Sequence, residues 1–130
     1  MKFVQQEDKF GCGLACIAML SGKSYGDIKE LASDEAELTS TNDLIELAKK
    51  VDVSISSMRR TQLVSFERLT TRAILSLSYE DNTQEWHWVV FERRNNGDMY
   101  IYDPEKKKEY QIKTNDVLSV NTYFLSTSSE

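Results

Sequence analysis

Gly11–Cys12–Gly13–Leu14–Ala15–Cys16–Ile17–Ala18–Met19–Leu20–Ser21–Gly22 is the stretch that decides the fold. From Cys12 to Leu20 almost every residue is small or apolar. A helix here has no polar side to offer water, and such a helix is buried and central. Gly22 supplies the stop, because glycine takes the left-handed conformation that closes a helix. Gly11 and Gly13 flank Cys12 and put the thiol where a flexible loop enters the helix.

Outward from this segment, Ser24 to about Ala32 reads as a short second helix. Ser40 or Thr41 caps a third, in which Leu44, Leu47, Ala48 and Val51 recur at helical spacing. The period then changes to alternation. Val53, Ile55 and Ser57 give the first strand signal, Ala73 to Tyr79 the second and Trp86 to Glu92 the third. Asn95–Asn96–Gly97–Asp98 is a hairpin turn leading into Met99 to Asp103. Pro104, the sole proline, stops that strand. Tyr110–Gln111–Ile112 is expected to pair beyond it, and Thr122 to Leu125 to form a last short strand. No pattern is assigned to residues 61–72 or 80–85. Helices first and strands second is the α+β pattern, with N-terminal helices packed on a C-terminal antiparallel sheet.

The 130 residues fit one domain, 1–130, since domains commonly run to roughly 100–150 residues. The net charge is −5, and the basic runs Arg59–Arg60, Arg93–Arg94 and Lys106–Lys108 are short, so no nucleic-acid partner is expected. No apolar run is long enough for a signal peptide or a membrane span, so no membrane partner is expected either. A chain starting at Met1 is expected to be cytoplasmic as made, or else to be one domain of a longer protein. Cys12 and Cys16 lie four apart, on one helix face, where a disulfide does not readily form. With one histidine they fall short of a zinc site, so neither a metal nor a cofactor is expected.

The chemistry rests on four residues. His87, the single histidine, opens the strand Trp86–His87–Trp88–Val89–Val90–Phe91. Alternation puts His87, Val89 and Phe91 on one face and Trp86, Trp88 and Val90 on the other. Counted outward from the Asn–Gly turn, Asp103 returns to about the level of His87. A carboxylate there can hold one imidazole nitrogen and leave the other as a base. Cys12 is the candidate nucleophile, since a helix N-terminus and a nearby imidazolium both stabilise a thiolate. The backbone N–H at the helix start can meet a developing oxyanion, and the Gln6 side-chain amide can be the second donor. Each residue has a plainer role open to it: a half-buried structural histidine, a core cysteine, a turn aspartate before proline. For Cys16 the core role is the one adopted.

In combination these residues resemble the cysteine peptidases that remove double-glycine leaders from bacteriocins and related exported peptides. That family opens with glutamine, an acidic residue two positions later and a catalytic cysteine followed by glycine, as in Gln6, Asp8, Cys12 and Gly13. A helix of small apolar residues follows, as in Leu14 to Met19, and a later helix begins near Thr41–Asn42–Asp43–Leu44. Its histidine opens a strand like His87–Trp88–Val89–Val90, and its aspartate precedes proline, like Asp103–Pro104. The likeness runs from Gln6 to about Leu125. It implies a papain-like fold and a peptidase with Cys12, His87 and Asp103 as triad and Gln6 in the oxyanion hole. It also implies a protein or peptide substrate cut after Gly-Gly. The best-known members are fused to a membrane exporter, which these residues do not contain. A free-standing domain suggests a toxin-like effector, delivered into another cell and held by a cognate immunity protein. Two alternatives keep the fold: a glutamine deamidase or transglutaminase using the same triad, and a peptide-binding module without turnover.

Overall fold

Burial of α1 (Cys12–Ser21) organises the chain, and every residue from Cys12 to Met19 is buried. The computed structural model describes residues 1–8, 11–32, 41–55, 61–62, 69, 71–77, 87–112 and 122–126. Gly22 caps α1 with φ 76° and donates its N–H to the Ala18 carbonyl, as the sequence requires. Helix α2 (Tyr25–Leu31) starts where Ser24 accepts from the Asp27 N–H at 3.1 Å. Helix α3 (Thr41–Lys50) buries Leu44, Ile45, Leu47 and Ala48 and exposes Asp43, Glu46, Lys49 and Lys50. Both α2 and α3 pack on α1.

The strands are β1 (Thr61–Gln62), β2 (Arg72–Leu77), β3 (His87–Arg93), β4 (Met99–Tyr102), β5 (Tyr110–Ile112) and β6 (Thr122–Ser126). They form one antiparallel sheet in the order β1-β6-β2-β3-β4-β5. The architecture is α+β, helices against an antiparallel sheet, as the order of elements indicates. The β3–β4 hairpin turns at Gly97, whose φ of 90° favours glycine. Arg94 N donates to Asp98 O and Gly97 N to Arg94 O, both at 2.8 Å.

The structure differs from the sequence reading at the bounds of some strands. The strand signal does not start at Val53: α3 closes through Asp52 at φ 60°, with Val53 N bonded back to Ala48 O at 2.9 Å, and Ile55 is a single β-bridge residue. Ser57 lies outside the described residues, as do Tyr79 and Trp86 at the ends of their expected strands. Thr61–Gln62, which no pattern announces, pairs with β6. A two-residue strand is too short to show a period.

Alternation along β3 sorts its side chains into two cores. Trp88 and Val90 join Ile74, Tyr102 and the three helices. Val89 and Phe91 join Ala73, Leu75, Met99, Ile101, Ile112 and Leu69 on the opposite face. The sheet is therefore buried on both sides at its centre, which explains the near-continuous apolar run of β3.

Glu92 is the acidic exception, 7% exposed. It accepts from Tyr102 Oη at 2.7 Å and Arg94 Nε at 3.3 Å. Burial opposes its charge, but these partners hold its carboxyl below the ordinary value.

Ile17, fully buried on α1, gives a direct check of this core. Ile17→Ala is expected to cost about 2–5 kcal/mol, while Leu31→Ala, at a residue 40% exposed, is expected to stay within about 0.5 kcal/mol. Urea-unfolding midpoints at unchanged slope measure both.

Candidate active site

Three distant segments meet where β3 begins. His87 takes the first place of the strand, paired with Leu77 of β2, and is 6% exposed. Its Nε2 is hydrogen-bonded to Asp103 Oδ1. An ionised carboxylate only accepts, so Nε2 carries the hydrogen and Nδ1 is the basic nitrogen. Asp103 Oδ1 also accepts from the Glu105 N–H at 3.0 Å, and the Asp103 carbonyl accepts from Lys106 N at 2.9 Å. The turn after β4 thus fixes the carboxylate from its own backbone.

The register differs from the sequence count. Val90 pairs with Tyr102, so Asp103 falls just past the ladder at the level of Val89, not of His87. The Asp103 carboxylate reaches His87 across this offset. Leaving the ladder at Pro104 is what permits this reach.

Cys12 opens α1 and is 8% exposed. Its thiol is in hydrogen-bonding contact with the His87 imidazole, while Nε2 is held by Asp103. Burial disfavours the imidazolium, but the bonds to Asp103 and Cys12 outweigh it and raise the His87 pKa from 6.5 to about 10. Asp103 responds in the opposite sense. Burial works to raise its pKa, and the bonds from His87 and Glu105 N hold it below the usual 3.8.

Gln6 reaches the same place through its main chain, its N–H donating to the Pro104 carbonyl at 3.0 Å. The N-terminal segment is thereby tied to the turn that carries Asp103. The Gln6 side chain donates from Nε2 to the Asp8 carbonyl, also at 3.0 Å. Cys16 is fully buried, and burial pushes its thiol well above 9.0, with the charges of Cys12 and Asp103 adding to the effect. It belongs to the core, as its setting in an apolar helix implies.

Some neighbours of the site carried no signal in the sequence. Glu105, largely exposed, places Oε1 4.0 Å from His87 Nδ1. With His87 and Asp103 it is a group of possible metal donors, ligand atoms within 4.8 Å of one another, among the described residues. Asp103 Oδ1 already accepts from His87 and from Glu105 N, so the group reads as an oriented imidazole rather than a cation site. Tyr25 and Lys29, both on α2, converge on Asp8. Only the spacing of Tyr25 and Lys29, one turn apart on a helix face, hints at a joint contact.

Residues 1–125 match the model of the Peptidase C39 family. Over 127 residues the chain is 28% identical to the SPbeta prophage-derived sublancin-168-processing and transport ATP-binding protein SunT of Bacillus subtilis (strain 168). It has the same identity to the sublancin-168-processing and transport ATP-binding protein of Bacillus phage SPbeta. Each alignment covers 93% of this chain and 18% of the relative, so the chain spans under a fifth of those proteins' length. A thiol at the start of a buried helix, against an imidazole held by a carboxylate, agrees with that match. The chain belongs to the Peptidase C39 family, and its class is that of a cysteine peptidase, a hydrolase.

Proposed function

We propose that the chain cleaves a peptide bond after a Gly-Gly pair in a leader-bearing peptide, by a Cys12–His87–Asp103 triad. The observation that carries this reading is the continuous contact from the Cys12 thiol through the imidazole to the Asp103 carboxylate. Cys12 Sγ attacks the scissile carbonyl carbon from an ion pair with His87, whose raised pKa keeps the proton on Nδ1. The oxyanion of the tetrahedral intermediate meets the Cys12 backbone N–H and the Gln6 side-chain amide. Collapse expels the amine, which takes the proton from His87, and leaves a thioester on Cys12. Water then attacks the thioester with His87 as base, releasing the carboxylic acid and restoring the thiol. Asp103 keeps Nε2–H engaged throughout, so the nitrogen that faces the thiol stays the basic one.

The names of these relatives describe processing joined to transport, which favours leader removal over an effector role. A protein or peptide substrate follows from the class. The glycine preference is what the likeness to double-glycine leader peptidases implies for a nucleophile carried by Cys12. A deamidase reading uses the same thioester and differs only in the bond that is cut.

Cys12→Ala is expected to remove turnover and keep the fold. Mass spectrometry of new N-termini, wild type against Cys12→Ala, is expected to show cleavage following Gly-Gly. Glutamine converted to glutamate with chains intact favours the deamidase instead, and efficient cleavage after two bulky residues rules out the glycine preference. His87→Ala is expected to lower kcat by about two to four orders of magnitude, read as kcat against KM on one peptide.

A stability measurement tests the imidazole–carboxylate bond without a substrate. The His87 pKa is raised on folding from 6.5 to about 10. Its stabilisation is therefore complete below pH 6.5, declines as the pH rises from there, and is lost above about 10. The Asp103 share is present above 3.8 and lost as the pH falls below that value. Urea midpoints are expected to fall between pH 6.5 and about 10 in the wild type, and to fall less in Asp103→Asn. Equal slopes in the two proteins rule out the coupling.

A further inference from the structure

The loop that enters α1 must hold two groups still, the Gln6 amide and the backbone at Cys12, and both are tied to Asp8. The Asp8 main-chain carbonyl accepts from Gly11 N at 3.1 Å and from Gln6 Nε2 at 3.0 Å. Its carboxylate accepts from Tyr25 Oη at 2.7 Å and from Lys29 Nζ at 3.0 Å. The Lys29 pair is largely exposed, and such pairs contribute little. Tyr25, only 4% exposed, is the buried partner, and it opens α2, which packs on α1.

Gly11 closes the arrangement. It is the N-cap residue of α1 and makes no side-chain capping bond. A Cβ at this position would lie 2.0 Å from the Tyr25 hydroxyl oxygen and 3.1 Å from Cζ. Glycine is required here for close approach, not for loop flexibility as its place beside Cys12 suggests. The phenol occupies the space a side chain would fill, and it bonds the residue whose carbonyl holds both Gly11 and Gln6.

The geometry points to Tyr25, through the Asp8 carboxylate, as a positioning residue for the nucleophile and the oxyanion donor. The inference rests on the roles given above to Cys12 and Gln6. The Tyr25 hydroxyl is bonded to Asp8 and not to the thiol or the imidazole. It fixes Asp8, and through the Asp8 carbonyl Gly11 and the Gln6 side chain, so that the Cys12 N–H and the Gln6 amide keep their mutual placement. A displacement of about 1 Å in such a set can cost on the order of a hundredfold in rate.

Tyr25→Phe removes one oxygen and tests this directly. The expected result is kcat on a Gly-Gly peptide lowered on the order of tenfold or more, KM changed by less than about twofold, and the fold retained by circular dichroism. Iodoacetamide alkylation of Cys12, followed against pH, is expected to slow and to shift its profile. Asp8→Asn keeps an oxygen for the phenol and is expected to lie closer to wild type than Asp8→Ala, which should match Tyr25→Phe. Gly11→Ala is expected to lower the melting temperature, and adding Tyr25→Phe to recover part of the loss, since the 2.0 Å contact disappears. Wild-type kcat and an unshifted alkylation profile in Tyr25→Phe overturn the inference. So does an Asp8→Ala protein that behaves as wild type, which serves as the test if Tyr25→Phe does not fold. The alkylation measurement needs no substrate. A wild type that leaves Gly-Gly peptides intact therefore removes the proposed specificity, while the positioning role is judged on the thiol alone.

Discussion

The packing of α1 on β3 is the constraint from which the rest of the molecule follows. A helix without a polar side has to be covered all round, and α2, α3 and the central strand of the sheet do this together. The cost of exposing such a segment, at about 25 cal/mol per Å² of apolar surface, leaves few other places for it. Because Cys12 is the first residue of α1 and His87 the first of β3, the contact that closes the core also sets thiol against imidazole. The site occupies one end of the main packing interface.

Two smaller devices refine what that interface sets. At Asp103 the chain leaves the ladder at a proline, and the next two N–H groups fold back on the same aspartate. At the other side, Gln6 hangs from the Pro104 carbonyl by its backbone. One turn therefore orients the carboxylate and anchors the entrance loop. The aspartate is thus held twice, by its own backbone and by the imidazole, and little reorganisation is left for the moment of reaction.

Much of this was legible in the residues. The buried helix, its Gly22 stop, the Ser24 cap, the β3–β4 hairpin and the sorting of Trp88 and Val90 from Val89 and Phe91 all follow from local pattern. So does the grouping of Cys12, His87 and Asp103, given a helix start, a strand start and a hairpin. The level of Asp103 was misjudged by two residues, because a residue past the ladder is placed by its turn and not by strand counting. After Val51 the closing turn of α3 comes before any extended chain, so the strand signal reaches the described residues only as the bridge at Ile55. β1 and the second apolar face depend on pairing partners far away in sequence. The tie from Tyr25 to Asp8 was hidden for the same reason, and Gly11 was explained by flexibility when the space above it is filled.

The two residues brought into contact at the head of β3, Cys12 and His87, lie more than half the chain apart. Contacts of such long range require loop closure before they bring any stabilisation, and they tend to form late in folding. On a ribosome the first of the pair emerges early and waits for its partner strand. The nascent chain thus carries Cys12 without His87 beside it until the sheet is assembled, so the proposed site is completed by a late step of folding and not by synthesis of the cysteine.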